Sequence, residues 1–173
     1  MRPLGILQVL LLTITSAFSC VAAAQNPVVS EQDLKAAYLY HFIQFTEWPA
    51  ITAAEKAFTI CADAKHSLLP TLQKLLEKQV HGATLYVMTD FTSLERCSVL
   101  LASADRINTK IRDQAVQFHV LTISDDTAVS SEDVVISLKL RDGRVVFSIN
   151  KNRAEMSGLT ISSRLLRLAE TVQ

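Results

Sequence analysis

The sequence predicts an α/β fold: a single domain with a mostly parallel sheet flanked by helices, a C-terminal antiparallel hairpin and a closing helix. Short, near-continuous apolar runs alternate with segments of helical periodicity, which is typical of parallel strands covered by helices on both faces. Near the C-terminus, two such runs are separated by a turn that contains Asp142-Gly143, a favoured pair for a two-residue antiparallel hairpin. The order of the strands does not follow from these patterns.

The composition supports one domain with a substantial core. The chain has 173 residues, 49% of them hydrophobic, and only 4 Gly and 4 Pro, which excludes collagen-like and disordered classes. Lys plus Arg and Asp plus Glu number 17 each, so no basic surplus exists to hold a nucleic-acid backbone. We therefore predict no nucleic-acid partner.

Residues 1–24 have the features of a secretory signal peptide: a charged start, an apolar stretch too short to span a bilayer, and small residues at its end. Cleavage after Ala24 would leave residues 25–173 as a single exported domain. Lipidation at Cys20 is less well supported, because Phe18 stands where a lipoprotein signal has a small residue. An uncleaved anchor is the remaining alternative.

The N-terminal half contains two predicted helices and three predicted strands. Ser30 and Asp33 form a capping box, so the first helix should begin at Glu31 and run to about Glu47. Trp48-Pro49 ends it, because proline disfavours helical geometry in the residue before it. The next predicted elements are a strand at 57–62, a helix at 66–77 and strands at 85–88 and 97–102.

The C-terminal half is predicted to end in the hairpin and an amphipathic helix. The spacing of Ile161, Leu165 and Val172 indicates this closing helix. The predicted ranges are a helix at 104–113, strands at 116–123, 134–140 and 145–149, and the final helix at 161–172.

The sequence lacks the common motifs of catalytic and cofactor sites. Its glycines are too few and too widely spaced for a phosphate-binding loop, and no G-x-S-x-G nucleophile elbow occurs. The 4 histidines lack the spacing of a metal site. We therefore predict no catalytic residue, no metal and no cofactor.

Cys61 and Cys97 are the two cysteines that follow the predicted signal peptide. In an exported protein an even pair more often forms a disulfide than a metal site or a nucleophile. Such a bond would close a loop of about 37 residues and stabilise the fold by roughly 3–4 kcal/mol. The alternatives are two buried thiols that do not meet and a redox switch.

Three residues are candidates for contact with a protein partner. Trp48, the sole tryptophan, lies at the predicted end of the first helix and could anchor an interface, the alternative being core packing. Arg164 and Arg167 are three apart on the predicted final helix and hence on one face. There they could meet an acidic patch of a partner or form a solvated edge.

Several segments are similar to the YfiR family in order and spacing. Lys35–Phe42 and Phe45–Pro49 resemble the family's opening helix, and Phe58–Cys61 resembles its first strand with its cysteine. Cys97 stands where the family has the partner cysteine. The similarity covers about Leu34–Ala169 and includes Val120–Asp125, Val146–Asn150 and Gly158–Ala169.

The resemblance implies a periplasmic regulator and not an enzyme. Such a regulator binds the periplasmic sensory domain of an inner-membrane diguanylate cyclase and holds it inactive. Release of the cyclase raises cyclic di-GMP and favours biofilm formation. Family members carry a structural disulfide and can form homodimers. This chain departs from the family at Glu132-Asp133, where a Gly-Gly pair is frequent, and it lacks a second cysteine pair found in some members. Redox switching through that second pair cannot operate here.

A periplasmic small-ligand binding protein is the alternative interpretation, because an α/β fold places loops at the ends of its strands. The two interpretations are compatible, since a ligand could tune the inhibition. A periplasmic enzyme of unrecognised type is the third.

Overall fold

The computed structural model of the chain describes residues 29–49, 57–76 and 78–173. The predicted signal peptide at residues 1–24 lies outside the described residues. In chain order the elements are α1 (Glu31–Gln44), β1 (Thr46–Glu47), β2 (Ala57–Ala62), α2 (Leu69–Leu72) with a 3-10 turn (Gln73–Leu75), β3 (Gln79–Val80), β4 (Ala83–Met88), β5 (Val99–Leu101), α3 (Thr109–Gln117), β6 (Leu121–Ser124), β7 (Ile136–Arg141), β8 (Arg144–Ile149), α4 (Lys151–Met156), β9 (Thr160–Ile161), α5 (Ser163–Leu166) and β10 (Thr171–Val172).

An eight-stranded sheet with the order β10-β8-β7-β6-β5-β2-β4-β3 forms the centre of the molecule. Strands β4, β2, β5, β6 and β7 are parallel, so their carboxyl ends lie at one edge. The chain moves from β2 to β4 on one side, then returns to β5 on the other side of β2 and continues outward. The connections therefore reverse direction between β2 and β5. The predicted α/β class and mostly parallel sheet are confirmed.

The central strands are buried on both faces and separate two cores. Strands β5 and β6 are buried along their whole length, and β2 from Phe58 onward. Because side chains alternate along a strand, Ile60 contributes to the larger core and Cys61 to the smaller. The larger core includes the buried face of α1, and the smaller core includes Ile111 and Ala115 of α3. The sheet is thus covered by helices on its two faces.

Helix α1 begins where the capping box predicts and ends three residues early. The Ser30 hydroxyl accepts the Asp33 amide proton at 3.0 Å, as expected. The prediction of helix to Glu47 is wrong, because Thr46–Glu47 pairs with β9 instead of continuing α1. The Thr46 hydroxyl donates to the Phe42 carbonyl at 2.8 Å and ties this strand to the last helical turn.

In the middle of the chain, two predicted helices and one predicted strand start or end several residues from their predicted bounds. The helix predicted at 66–77 is reduced to α2 and the 3-10 turn. The helix predicted at 104–113 begins at Thr109, because Asn108 caps it by accepting the Ile111 amide proton at 3.0 Å. It continues to Gln117, so the strand predicted at 116–123 begins only at Leu121.

The C-terminal hairpin is confirmed, whereas the closing helix predicted at 161–172 is reduced to the four residues of α5. Asp142 and Gly143 have φ of 51° and 72°, as a two-residue hairpin turn requires. After α5 the chain pairs with the sheet as β10, and the Glu170 amide donates to the Phe147 carbonyl at 2.8 Å. Backbone hydrogen bonds to β8 thus replace further helical turns, and Leu168 is left 66% exposed.

A buried ionic cluster joins α1 to the carboxyl edge of the sheet. Asp125, directly after β6, accepts the Lys35 ammonium at 2.9 Å and lies 3.3 Å from His66 Nε2. The side chains of Lys35, Asp125 and His66 are 12%, 8% and 8% exposed. The Leu68 amide donates to His66 Nδ1 at 3.2 Å, which assigns the His66 proton to Nε2, facing Asp125.

The cluster holds Asp125 in its charged form. Burial raises the pKa of Asp125, but the hydrogen bonds from His66 and Lys35 outweigh it, so the pKa of this carboxyl lies below its ordinary value of 3.8. A carboxyl whose pKa is lowered by folding stabilises the folded state at pH values above its ordinary pKa. This contribution is lost as the pH falls through the pKa of the folded state.

We predict that Lys35→Met lowers the free energy of unfolding by about 2 kcal/mol near neutral pH, because it leaves the buried Asp125 carboxylate with one donor fewer. The loss should shrink as the pH falls through the folded pKa of Asp125, which lies below 3.8, because the carboxyl then becomes protonated in both proteins. Urea unfolding at several pH values measures both effects. Lys74→Met, which breaks only the exposed Lys74–Asp33 pair, is the control and should change stability little. An equal loss in the two variants would contradict the prediction.

Candidate functional site

A two-stranded ribbon, formed by β1 and β9, links the end of α1 to α5. Thr46 lies opposite Ile161 and Glu47 opposite Thr160, in antiparallel pairing. The Ser162 amide also donates to the Phe45 carbonyl at 2.9 Å, which extends the pairing by one residue. The ribbon brings the predicted partner-binding residue Trp48 and the predicted partner-binding helix into one region of the molecule.

Trp48 packs mainly against the protein itself. Its ring lies edge-on to Phe58 at 4.8 Å and 5.8 Å from the His81 ring. Alternation along β1 places Trp48 on the same side as the buried Thr46. Among the described residues, no acceptor lies within hydrogen-bonding distance of its buried Nε1. The core-packing alternative therefore describes most of the Trp48 contacts, with part of the side chain still reaching the surface.

Arg164 lies on the outer side of the ribbon. Its guanidinium carbon is 5.8 Å from the centre of the Phe45 ring, and His41 stacks on the same ring at 6.3 Å. Arg167 is exposed at the C-terminal end of α5, three residues from Arg164, so the two cations are neighbours. We call His41, Phe45, Arg164 and Arg167 the ribbon surface.

The structure thus brings Arg164 and Arg167 together but places Trp48 on the opposite side of the ribbon. Within the described ranges, neither arginine forms an ion pair, and both are exposed to solvent. The sequence patterns did not indicate that His41 and Phe45 belong to this surface. The signal available for Phe45 was its place in the segment that resembles the YfiR family.

A comparison with known protein families identifies the family of this chain. The sequence profile of the YfiR/HmsC-like family matches residues 32–170. The chain belongs to the YfiR/HmsC-like family. Membership supports a periplasmic regulator of cyclic di-GMP signalling in general. A search of curated proteins finds no match.

The fold is also similar to that of a solved structure. The crystal structure of a conserved domain protein from Vibrio cholerae aligns with a TM-score of 0.50 and 17% sequence identity. The alignment covers 83% of this chain and 60% of the other, so this chain spans less than two thirds of that protein's length. This similarity supports the fold alone.

Two of the family-like segments meet in the ribbon. Phe45–Pro49 contains β1, and Gly158–Ala169 contains β9 and α5. They are more than one hundred residues apart in the sequence, and their pairing places the family-like ends of the domain side by side. The segments on which the YfiR/HmsC-like resemblance rests therefore build the ribbon surface.

Gly158, just before β9, allows the backbone to pass close to His119 and Pro49. Its φ is 71°, and a Cβ atom there would lie 2.8 Å from His119 Nδ1 and 3.5 Å from the Pro49 ring. The same His119 nitrogen donates to the Ser157 carbonyl at 2.9 Å. A side chain at position 158 would therefore displace His119 as well as strain the backbone.

The structure contains a disulfide between Cys61 of β2 and Cys97, which precedes β5. Their Cα atoms are 5.7 Å apart, and the side chains are 0% and 4% exposed within the smaller core. Such burial suits a structural bond in this YfiR/HmsC-like protein better than a switch open to external thiols.

Two further properties of the described residues bear on function. No helix among them is long and apolar enough to cross a membrane. In the same ranges, no three His, Cys, Asp or Glu side chains are grouped as metal ligands would be.

We predict that Gly158→Ala destabilises the protein more than Gly143→Ala. Both positions have positive φ, which costs alanine roughly 1–2 kcal/mol, but a Cβ at Gly143 meets no atom within 4 Å. Gly158→Ala should lose about 1 kcal/mol more, because His119 must move away from the Ser157 carbonyl. Chemical unfolding of the two glycine variants measures the difference in their free energies of unfolding. The same comparison is repeated with both variants made in a His119→Ala background. The prediction fails if the two glycine variants differ as much without the histidine as with it.

We predict that loss of the disulfide in a Cys61→Ala/Cys97→Ala variant lowers the free energy of unfolding by roughly 3–4 kcal/mol, because the unfolded chain regains the freedom of the closed loop. The unreduced, denatured domain of residues 25–173 should contain no free thiol in a titration. Detection of two free thiols would show that the bond does not form in the exported protein.

Proposed function

We propose that this YfiR/HmsC-like protein binds the periplasmic sensory domain of an inner-membrane diguanylate cyclase and represses its synthesis of cyclic di-GMP. It acts as a binding protein and not as an enzyme. Family membership supports the general role in cyclic di-GMP signalling. The observation that most directly supports a protein partner is the ribbon surface, because residues of three family-like segments build it.

The composition of the ribbon surface suits a protein interface. Arginine and aromatic residues are enriched among the side chains that dominate binding energies. The Phe45 ring contacts both His41 and Arg164, so it is positioned before any partner arrives. Arg164 and Arg167 form no ion pair within the described part of the chain, and their charges are therefore free to meet acidic side chains of a sensory domain.

Trp48 has a different role in this proposal. Its contacts with Phe58 and His81 fix the inner side of the ribbon, so Trp48→Ala would weaken binding by loosening the support of Phe45 and Arg164. Such a variant changes packing and surface together. The arginines therefore provide the cleaner test of the interface.

The protein would act in the periplasm, after export and cleavage of residues 1–24. Loss of the complex would release the cyclase, raise cyclic di-GMP and favour biofilm formation. The family resemblance also implies a homodimer of the free protein. Light scattering on the exported domain, residues 25–173, measures this oligomeric state directly.

We predict that Arg164→Glu and Arg167→Glu weaken cyclase binding on the order of tenfold each, since reversed charges would face the acidic groups of the partner. Tagged protein is first used to capture its partner from detergent-solubilised native membranes, with identification by mass spectrometry. Titration against the periplasmic domain of the captured cyclase then gives the affinities. Membranes that contain the cyclase should also make less cyclic di-GMP when the wild-type protein is added.

Arg144→Glu is the matched control, because Arg144 is an exposed arginine at the hairpin turn and is not part of the ribbon surface. It should bind the cyclase as the wild type does. Failure to capture any diguanylate cyclase would overturn the proposed function. If both ribbon variants bind the cyclase with wild-type affinity, the cyclase remains the partner but the ribbon surface is not its binding site.

A further inference from the structure

A cleft of about 740 Å³ opens at the carboxyl edge of the sheet. Its walls come from the segments that follow β2, β4 and β5, including Asp63–His66, Thr89 and Ser103. This is where the connections reverse direction between β2 and β5. In open α/β sheets, the crevice at such a reversal is the general place for ligands. Its volume is within the range of small-molecule sites.

One side of the cleft is organised around Arg106. Its Nη2 donates to Asp63, whose other carboxylate oxygen accepts the Ser103 hydroxyl proton at 2.9 Å. The Arg106 guanidinium also lies over the Phe91 ring, 4.8 Å from its centre. The Arg106 bond holds the pKa of Asp63 below its ordinary value, so this carboxylate stays charged and keeps the arginine in place.

Arg106 keeps most of its hydrogen-bonding capacity. A guanidinium has five N–H donors, and within the described part of the chain only Nη2 is engaged by a side chain. Its planar group suits carboxylate and phosphate, which it binds through two parallel hydrogen bonds.

The cleft has further cationic groups that no acid among the described residues neutralises. Lys65 and Lys110 line it, are exposed, and form no ion pair within the described residues. Lys110 is in the first turn of the nine-residue helix α3, so the positive end of the helix dipole lies at the same wall. Among the residues that the structure describes, Asp105 is the only lining acid besides Asp63. With Asp63 paired to Arg106, the cleft keeps a net positive charge.

We propose that this cleft is a binding site for a small organic anion, whose carboxylate or phosphate group is held by Arg106, Lys65 and Lys110. The cleft is a crevice between strand ends with separate cationic side chains around it. Such a site suits a metabolite-sized ligand. The site is distinct from the ribbon surface and does not depend on the cyclase interaction. It gives the small-ligand interpretation of the sequence a definite location.

The test uses inorganic phosphate and citrate as probes, each compared with chloride at the same ionic strength. Thermal unfolding should show a saturable rise in Tm with phosphate or citrate, since binding to the native state alone stabilises it. Amide signals in an NMR titration should shift for residues 63–66 and 103–111. Lys65→Gln/Lys110→Gln should abolish both effects while remaining folded, because neither lysine forms an ion pair within the described residues.

The matched control is Lys74→Gln/Lys151→Gln, which removes two exposed lysines that do not line the cleft. It should respond to the probes as the wild type does. Arg106→Gln should also weaken binding at least tenfold. The proposal is overturned if neither anion raises the Tm above that in chloride, if the cleft and control variants respond equally, or if the amide shifts lie elsewhere. No cyclase is present, so these outcomes leave the proposed function untouched.

Discussion

The arrangement of this domain depends on the need to pair one buried carboxylate. Asp125 follows β6 at the carboxyl edge, where the backbone leaves the sheet and the side chain remains nearly enclosed. An unpaired charge in such a place is costly, so the fold must bring hydrogen-bond donors to it. Lys35 arrives from α1 and His66 from the segment after β2. One interaction therefore unites three parts of the chain that are distant in sequence.

The docking of α1 at its N-terminal end also determines where the residues after its C-terminal end lie. Lys35 is in the first turns of α1, and the helix then crosses the sheet toward the C-terminal hairpin, where Phe42 meets Phe147 at 4.8 Å. A helix held at both ends places the following residues with little freedom. Thr46–Glu47 is consequently in position to pair with Thr160–Ile161. The ribbon surface is thus a result of how α1 docks.

The sequence allowed prediction of those features that depend on local chemistry. The apolar run at 57–62, the capping box at Ser30 and the turn at Asp142-Gly143 each specify a structure through neighbouring residues, and each is present. The closing helix was wrong because its apolar spacing suits a helix, while β8 offered backbone partners to Thr171–Val172 that the spacing does not reveal.

The candidate sites were harder to predict because their parts are far apart in the chain. Arg106 and Asp63 are separated by 43 residues, and Lys35 and Asp125 by 90. Each is an ordinary charged residue in its own segment. Only the strand order, with its reversal beside β2, makes these charges neighbours, and that order could not be read from the apolar pattern. Trp48 is different, because it stood out in the sequence as the sole tryptophan and was therefore predicted to anchor an interface. In the structure its ring packs mostly against Phe58 inside the domain.

The place of the disulfide determines which surface it supports. Cys61 and Cys97 belong to the smaller core with α3, on the face of the sheet opposite to the larger core that contains Phe42 and Trp48 contacts. The bond ties down the segment between β4 and β5, and that same segment contributes Thr89 and Thr92 to the cleft. The ribbon is supported from the other core. Reduction would therefore loosen the cleft wall more directly than the ribbon surface, so a redox effect on a protein partner would have to pass through the sheet itself.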